Sequence, residues 1–334
     1  MSASLVLPAD APRGDWLAAR HTGIGASDIA AVLGISPWQS AFSLHWQKAN
    51  GWTDEVDNEH TEAGRRLESA IADWAADRID PNEELFVCPS GLYRSAERPW
   101  QMATPDRLLY VRCPDCNGPG ALPDTWEWAC CRGSGRQRYP VAVLECKHPY
   151  DWDGFGDDGT DDIPVYYRTQ VLQQCDVMDV GEWYLAAYTS HQLRIYHGRR
   201  DDKDIAILRA AGARFWTDLQ NGVVPELDSH EATIATLKRL HPSVEDIDIE
   251  VPIEFAEGYR RARAMRSRAD DLVDRYEARA RALLGNARRL TCNRKLVVSR
   301  SVYDQSGDSA ELTALEGDWP TVDRLNPGRS ASYL

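Results

Sequence analysis

Short apolar runs and longer amphipathic stretches alternate along this chain and give its outline. Val141 to Leu144 is rich in β-branched residues and reads as a buried strand. Leu85 to Cys88, Gly91 to Arg94 and the run leading through Leu108 to Val111 read as further short strands. Glu182 to Tyr188 and Gln192 to His197 have the pattern of a hairpin. Between them lie helical patterns. Asp15 to Arg20 is a first helix, and His21 to Gly25 is a turn. Ile29 to Leu33 is a second helix, with Ser27 or Asp28 as its N-cap. Glu59 to Ile79 carries an apolar stripe of Leu67, Ile71, Trp74 and Ile79, stopped by Asp80-Pro81. Pro164 to Met178 and Asp204 to Asn221 are also helical. Residues 1 to about 12 are expected to be a loose arm.

Beyond about Val224 the pattern changes. Glu254 to Leu290 holds ten arginines, with Phe255, Tyr259, Ala262, Met265, Ala269, Leu272, Tyr276, Ala280, Leu283 and Ala287 at three- and four-residue steps. That predicts one long helix, about 55 Å if unbroken. It is either a solvated helix packed along one stripe or a basic rail for DNA phosphates. Arg289 to Tyr303 reads as a hairpin, and the last thirty residues as weakly structured. Residues 151–162 hold six aspartates and no basic residue, and are expected to be a solvated loop.

The formal net charge of −14 argues against a sequence-indifferent nucleic-acid coat, yet leaves room for an enzyme whose basic groups gather in one groove. With no long apolar run and no charged-then-apolar start, neither a membrane span nor a signal peptide is visible, and a cytoplasmic location is expected. In a reducing compartment the eight cysteines are metal ligands or plain thiols. Four of them lie within 112–140, an insertion between two strands: Cys113, Cys116, Cys130 and Cys131. Four thiolates satisfy tetrahedral Zn²⁺, and Cys113-x-x-Cys116 has the spacing of a zinc knuckle, although adjacent Cys130 and Cys131 need a constrained backbone to share one ion. The flanking glycines look like units of DnaJ-type zinc fingers. The alternative is a flexible insertion with incidental thiols.

The chemistry starts at Glu145 and Lys147. At positions i and i+2 of an extended chain they point to the same face and set a carboxylate beside an ammonium at the end of a buried strand. Taken alone, the pair is more often a surface ion pair. Asp106 stands where one strand ends and another begins, and Pro105-Asp106 is also a common turn pair. Glu68 sits at the edge of its helix's apolar stripe, either as a solvated flank or as a ligand. Arg20 and Ser27, beside a helix N-terminus, suit a phosphate, with ordinary capping as the alternative.

In order, Arg20-x-x-x-Ile24-Gly25-Ala26-Ser27-Asp28, Glu68 after Gly64, Asp106 after Thr104-Pro105, Glu145-x-Lys147 and Tyr167-x-x-Gln170 resemble the YqaJ-like viral recombinases, a branch of the lambda-exonuclease-type PD-(D/E)xK nucleases. The resemblance covers roughly residues 13–222. It implies an α/β fold with a restriction-endonuclease-like core, a central mixed sheet flanked by helices, to which this chain adds the cysteine-rich insertion and a long-helix extension. The expected domains are 1–222, an exonuclease domain with the zinc insertion, and 223–334, a helical extension with a hairpin.

The resemblance also implies roles. Asp106, Glu145 and the backbone carbonyl of Cys146 would hold Mg²⁺ or Mn²⁺, and Lys147 would hold and polarise the attacking water. Glu68 would complete the acidic cluster, Gln170 would orient the nucleophile or the lysine, and Arg20 with Ser27 would seat a 5′-phosphate. The implied activity is digestion of duplex DNA ends, 5′ to 3′, for phage-type recombination with a single-strand annealing protein in a bacterial host. The implied assembly is a closed ring, a trimer, with no membrane partner. Two other readings stand beside it. One is a catalytically silent DNA-end-binding scaffold. The other is a nuclease of the same superfamily whose cysteines hold an iron–sulfur cluster. In iron–sulfur relatives the cysteines flank the nuclease core at both ends, so four in one insertion favour zinc. The 38 residues between Asp106 and Glu145 depart from a simple strand pair, and the final third of the chain lies outside the shared core.

Overall fold

The computed structural model of the chain describes residues 3–52, 59–82, 84–112, 139–304 and 321–327. In chain order the elements begin with β1 (Ala3–Leu7), α1 (Arg13–Arg20), α2 (Ile29–Val32), α3 (Ala41–Asn50) and α4 (Glu59–Ile79). Strands β2 (Leu85–Pro89), β3 (Leu92–Ser95), β4 (Met102–Ala103), β5 (Arg107–Val111) and β6 (Ala142–Lys147) follow. Next come α5 (Val165–Met178), β7 (Glu182–Thr189), β8 (Gln192–Arg199), α6 (Asp202–Gln220) and α7 (Glu231–Leu240). The chain continues with α8 (Ile253–Leu284), β9 (Arg289–Cys292), β10 (Lys295–Asp304) and β11 (Thr321–Pro327). No helix among the described residues is long and apolar enough to cross a membrane. The elements divide into two compact units, Met1–Val244 and Glu245–Leu334.

The first unit is built on a five-stranded sheet in the order β2-β5-β6-β7-β8. Only β6 and β7 run parallel, joined through α5; the other pairs are antiparallel. The sheet is therefore mixed, as expected, and β6 is its centre. Alternation along β6 sorts its side chains between two cores. Val143 packs with Val171, Leu172 and Cys175 of α5. Ala142, Leu144 and Cys146 pack with Ile71, Ala72 and Ala75 of α4. One helix covers each face, and α5 is buried along almost its whole length. A smaller sheet, β1-β3-β4, lies in the same unit.

Several expectations need correction. Residues 3–7 are not loose: β1 pairs antiparallel with β3, a long-range pairing that local pattern does not reveal. Trp74 is 48% exposed, because the stripe of α4 turns through the small residues Ala72 and Ala75 instead. Residues 151–162 are only partly a solvated loop. Trp152 and Phe155 pack on the core, and Asp158 accepts the Ile195 amide at 2.7 Å. The compact unit extends past residue 222 through α7, where Thr233 Oγ1 lies 2.7 Å from Ser40 Oγ. Cys146 and Cys175 are buried free thiols.

The second unit holds α8 and a sheet in the order β11-β10-β9. The expected hairpin is β9–β10, and β11 adds a third strand within the stretch expected to be weakly structured. The apolar stripe of α8 is not packed as expected for a solvated helix with one covered face. Phe255, Tyr259, Met265, Leu272, Tyr276 and Leu283 are all exposed, and Leu284 is buried at the helix end.

Candidate active site

The last three residues of β6 carry the candidate chemistry. Glu145 and Lys147 share Val143's face of the strand, toward α5, as the alternation predicts. Lys147 Nζ donates to Glu145 Oε1 at 2.5 Å. Glu145 is 4% exposed at its side chain and Lys147 about one-fifth exposed. From α5, Gln170 Nε2 donates to the same Oε1, and Gln174 Nε2 donates to Oε2 at 2.6 Å. Both oxygens of the buried carboxylate are thus held, and the side chain has one orientation. Gln174 had no role assigned from sequence, although its i, i+4 spacing from Gln170 puts both on one helix face.

Lys147 keeps its proton firmly. Burial alone would lower its pKa, but the charge of Glu145, then that of Asp106, and the hydrogen bond to Glu145 raise it above the ordinary lysine value. The Tyr167 ring centroid lies 5.2 Å from Nζ. Tyr167 itself is pushed up to about 12, chiefly by burial.

Asp106 precedes β5, the strand beside β6, and its Oδ2 accepts the Cys146 amide at 2.6 Å. Burial first, then the charges of Glu145 and Glu68, hold its carboxyl well above the usual range. Three acids therefore act on one another here. Glu68 is the outermost, 42% exposed at its side chain, and pairs with Arg107 Nη1 at 3.2 Å. Arg107 is a second residue that sequence reasoning passed over; it anchors Glu68 across the sheet edge.

The segment between α1 and α2 overhangs this site. Ile24 donates to Trp100 O at 2.6 Å, and its carbonyl accepts from Met102 N and from Gln173 Nε2, each at 3.0 Å. Gly23 is required there, since a Cβ would lie 2.6 Å from Trp100 O and 2.5 Å from Met102 Sδ. Arg20 Nη2 then reaches Ser27 Oγ at 3.0 Å and Asp28 Oδ1 at 3.1 Å. Asp28 stands at the N-cap of α2, one of the two expected positions, but without a capping side-chain bond. The side chains of Ser27 and Asp28 cap no helix, and α2 is only four residues long. Asp28 is spent on the Gly25 amide at 2.9 Å, on Arg20 and on Lys48 Nζ at 2.6 Å. Burial opposes its ionisation, but Lys48 and Arg20 outweigh it and hold the carboxyl at about 2. Any anion seat here rests on Arg20 and Ser27 and not on a helix terminus.

One groove of about 560 Å³ is lined by Arg20, Ser27, Glu68, Asp106, Glu145, Lys147 and Gln170. Every described side chain expected at the site therefore meets in one place. Cys113, Cys116, Cys130 and Cys131 lie outside the described residues. The arrangement offers carboxylates to a hard cation, a fixed ammonium beside them, and an exposed guanidinium on the same groove wall.

Residues 15–180 match the family model for the YqaJ-like viral recombinase domain. Through this segment the chain belongs to the YqaJ-like viral recombinase family. The YqaJ-like segment runs from within α1 to just beyond α5, so it contains every side chain described above; α6, α7 and the second unit lie outside it. The uncharacterized protein YqaJ of Bacillus subtilis (strain 168) is 25% identical over 244 residues, covering 70% of this chain and 65% of that protein. The chain thus spans just under two thirds of that relative's length. Among solved structures, an alkaline exonuclease of Laribacter hongkongensis, LHK-Exo, is 19% identical, covering 69% of this chain and 98% of that chain with a TM-score of 0.43. A phage-related exonuclease of Haemophilus somnus 129PT is 12% identical, covering 62% and 99%, with a TM-score of 0.37.

Proposed function

We propose that this protein is a metal-dependent DNA exonuclease that digests linear duplex 5′ to 3′ and leaves single strands for recombination. The observation that carries the reading is the Glu145–Lys147 pair, fixed by α5 and facing Asp106 in the groove that Arg20 and Ser27 also line.

Mg²⁺ or Mn²⁺ fits the donor set. Asp106 and Glu145 bring carboxylate oxygens, and their repulsion, increased by Glu68, is what a divalent cation relieves. Asp106, Glu145 and the Cys146 carbonyl would hold it. Among the described residues no group of three His, Cys, Asp or Glu side chains is placed to hold a metal ion, so the Cys146 carbonyl, waters and substrate phosphate would have to complete the ion's shell. Bound there, it would neutralise phosphate charge and acidify a water.

The side chains divide the remaining work. Lys147 stays an ammonium at neutral pH, so it does not serve as the base. Its charge stabilises the attacking oxygen and the charge developing on the phosphoryl group. Gln170 and Gln174 hold Glu145 in place. Arg20, with Ser27, receives the terminal 5′-phosphate as a charge-assisted donor. Asp106, Glu145 and Lys147 together in one groove favour this over a silent end-binding scaffold.

The reading extends to assembly and partners. A ring, a trimer, would gather basic groups around a duplex on an acidic protein, working with a single-strand annealing partner in the cytoplasm of a bacterial host; a strictly monomeric species in light scattering would rule the ring out. Cys113, Cys116, Cys130 and Cys131 would bind one structural Zn²⁺, remote from the nuclease ions and folding the insertion around it. Elemental analysis of protein purified without added metal tests this against an iron–sulfur cluster, which would be brown; zinc near zero, or zinc retained with Cys113 and Cys116 both changed to Ser, removes the assignment. For the activity, 5′-phosphorylated linear, 5′-hydroxyl linear and circular duplexes are incubated with Mg²⁺. Linear DNA should shorten from its ends, fastest with the phosphate. Equal attack on the circle would replace the exonuclease by an endonuclease.

A further inference from the structure

On the α4 side of the sheet, where β6 ends, five rings gather without any part in the chemistry above. Tyr150 lies flat on His60, centroids 3.7 Å apart and planes 12° from parallel. His60 stacks on His148 at 5.3 Å and 22°. His148 stacks on Tyr188 at 6.1 Å and 22°, and Trp74 follows, tilted, at 5.9 Å. The His148 ring is fixed by Nδ1, 2.7 Å from Tyr188 O. The ladder is open at both ends: Tyr150 is 76% exposed and Trp74 48%. His148 follows Lys147 directly, so the ladder starts one residue from the catalytic pair, on the opposite face of the strand. His60 stands eight residues before Glu68 on α4, about 12 Å along the helix at 1.5 Å per residue.

We propose that this ladder is a stacking platform for the unpaired bases of the DNA strand at the groove, with Tyr150 as the ring that meets the first base. The inference rests on the nuclease reading and adds to it a contact to bases instead of phosphates. Base pairs at a duplex end fray, and the unpaired bases then expose both π-faces to water. An aromatic ring backed by further rings is held flat at little entropic cost, and base stacking on such a ring is sequence-tolerant. One face of Tyr150 is occupied by His60, and the residue is otherwise largely exposed. A ladder that merely braced the start of α4 would need no such exposed outer ring, and removing that ring would leave nucleic-acid binding unmoved.

The test compares two single strands of ~12 nucleotides, both with a 5′-hydroxyl to leave the phosphate seat out. One carries thymines and the other is an abasic backbone with the same phosphates. Affinities of the full chain are read by fluorescence anisotropy in EDTA, so that nothing is digested. The wild type should bind the base-bearing strand at least about fivefold more tightly than the abasic one. Tyr150→Ala should lose that preference while binding the abasic strand as before, and Tyr150→Phe should keep it. A preference unchanged in Tyr150→Ala, or none in the wild type, overturns the platform. Digestion of linear duplex by the same wild-type preparation separates the two readings. Digestion without base preference sinks the platform alone, and the absence of both sinks the nuclease with it.

Discussion

Replacing Gln174 by leucine tests whether the orientation of Glu145 matters to the chemistry. Gln174 is fully buried, and leucine is close in volume, so packing survives. What disappears is the 2.6 Å hydrogen bond to Glu145 Oε2, with a longer one of 3.4 Å to Thr104 O, while Gln170 and Lys147 still hold Oε1. A hydrogen bond to a charged group is worth about 1.5–3 kcal/mol. If that energy is needed to hold Glu145 in its productive orientation, kcat falls by roughly 10- to 150-fold. Partners that orient a metal ligand cost about 10- to 100-fold in activity or metal affinity when removed, the same range by another route. The assay is steady-state digestion of 5′-phosphorylated linear duplex across a Mg²⁺ titration, with thermal melting of the same preparations. We expect kcat to fall, the Mg²⁺ midpoint to rise and KM for DNA to hold, because Gln174 does not line the groove. An unchanged kcat and Mg²⁺ midpoint in a folded variant would refute the reasoning. A rise in KM alone would also count against it, since that would make Gln174 a DNA contact.

Arg20→Ala should slow digestion of 5′-phosphorylated ends more than that of 5′-hydroxyl ends, and the ratio is insensitive to any loss of folded protein; equal slowing removes Arg20 from the phosphate seat. Asp28→Asn tests the ion pairs beneath that seat by urea unfolding. The folded-state carboxyl sits at about 2, below its unfolded value, so its stabilisation is present above about pH 4 and lost as pH falls toward 2. The full contribution is on the order of 2 kcal/mol at neutral pH, and the wild-type advantage over Asp28→Asn should shrink by about 1 kcal/mol between pH 5 and pH 3. A gap that widens on acidification would contradict that sign.

Much of the first unit was legible in the sequence because its signals are local. The alternation of β6 placed Glu145 and Lys147 on one face, and the helical patterns gave α4, α5 and α6 nearly to their ends. What was missed depends on distant partners. β1 is a strand only because β3 is there to pair with it. Arg107 matters because Glu68, thirty-nine positions away, lies across the sheet edge. Gln174 could have been found from its helical spacing to Gln170, but nothing local says which face of α5 meets β6. Asp28 looked like a cap because a short acid before an apolar turn usually is one. Two cations and an amide, brought in by the fold, compete for it and win.

The central claim is that Glu145 and Lys147 perform Mg²⁺-dependent hydrolysis of DNA ends. The most direct measurement is digestion of 5′-phosphorylated linear duplex by wild type, Glu145→Ala and Lys147→Ala, with Mg²⁺ and with EDTA, on preparations matched by circular dichroism. The wild type should degrade the duplex with Mg²⁺ and not with EDTA. Both variants should be inactive while folded, since one loses a metal-binding carboxylate and the other the ammonium that stabilises the reacting charge. Near-wild-type digestion by either variant, or digestion by the wild type that persists in EDTA, would contradict the account.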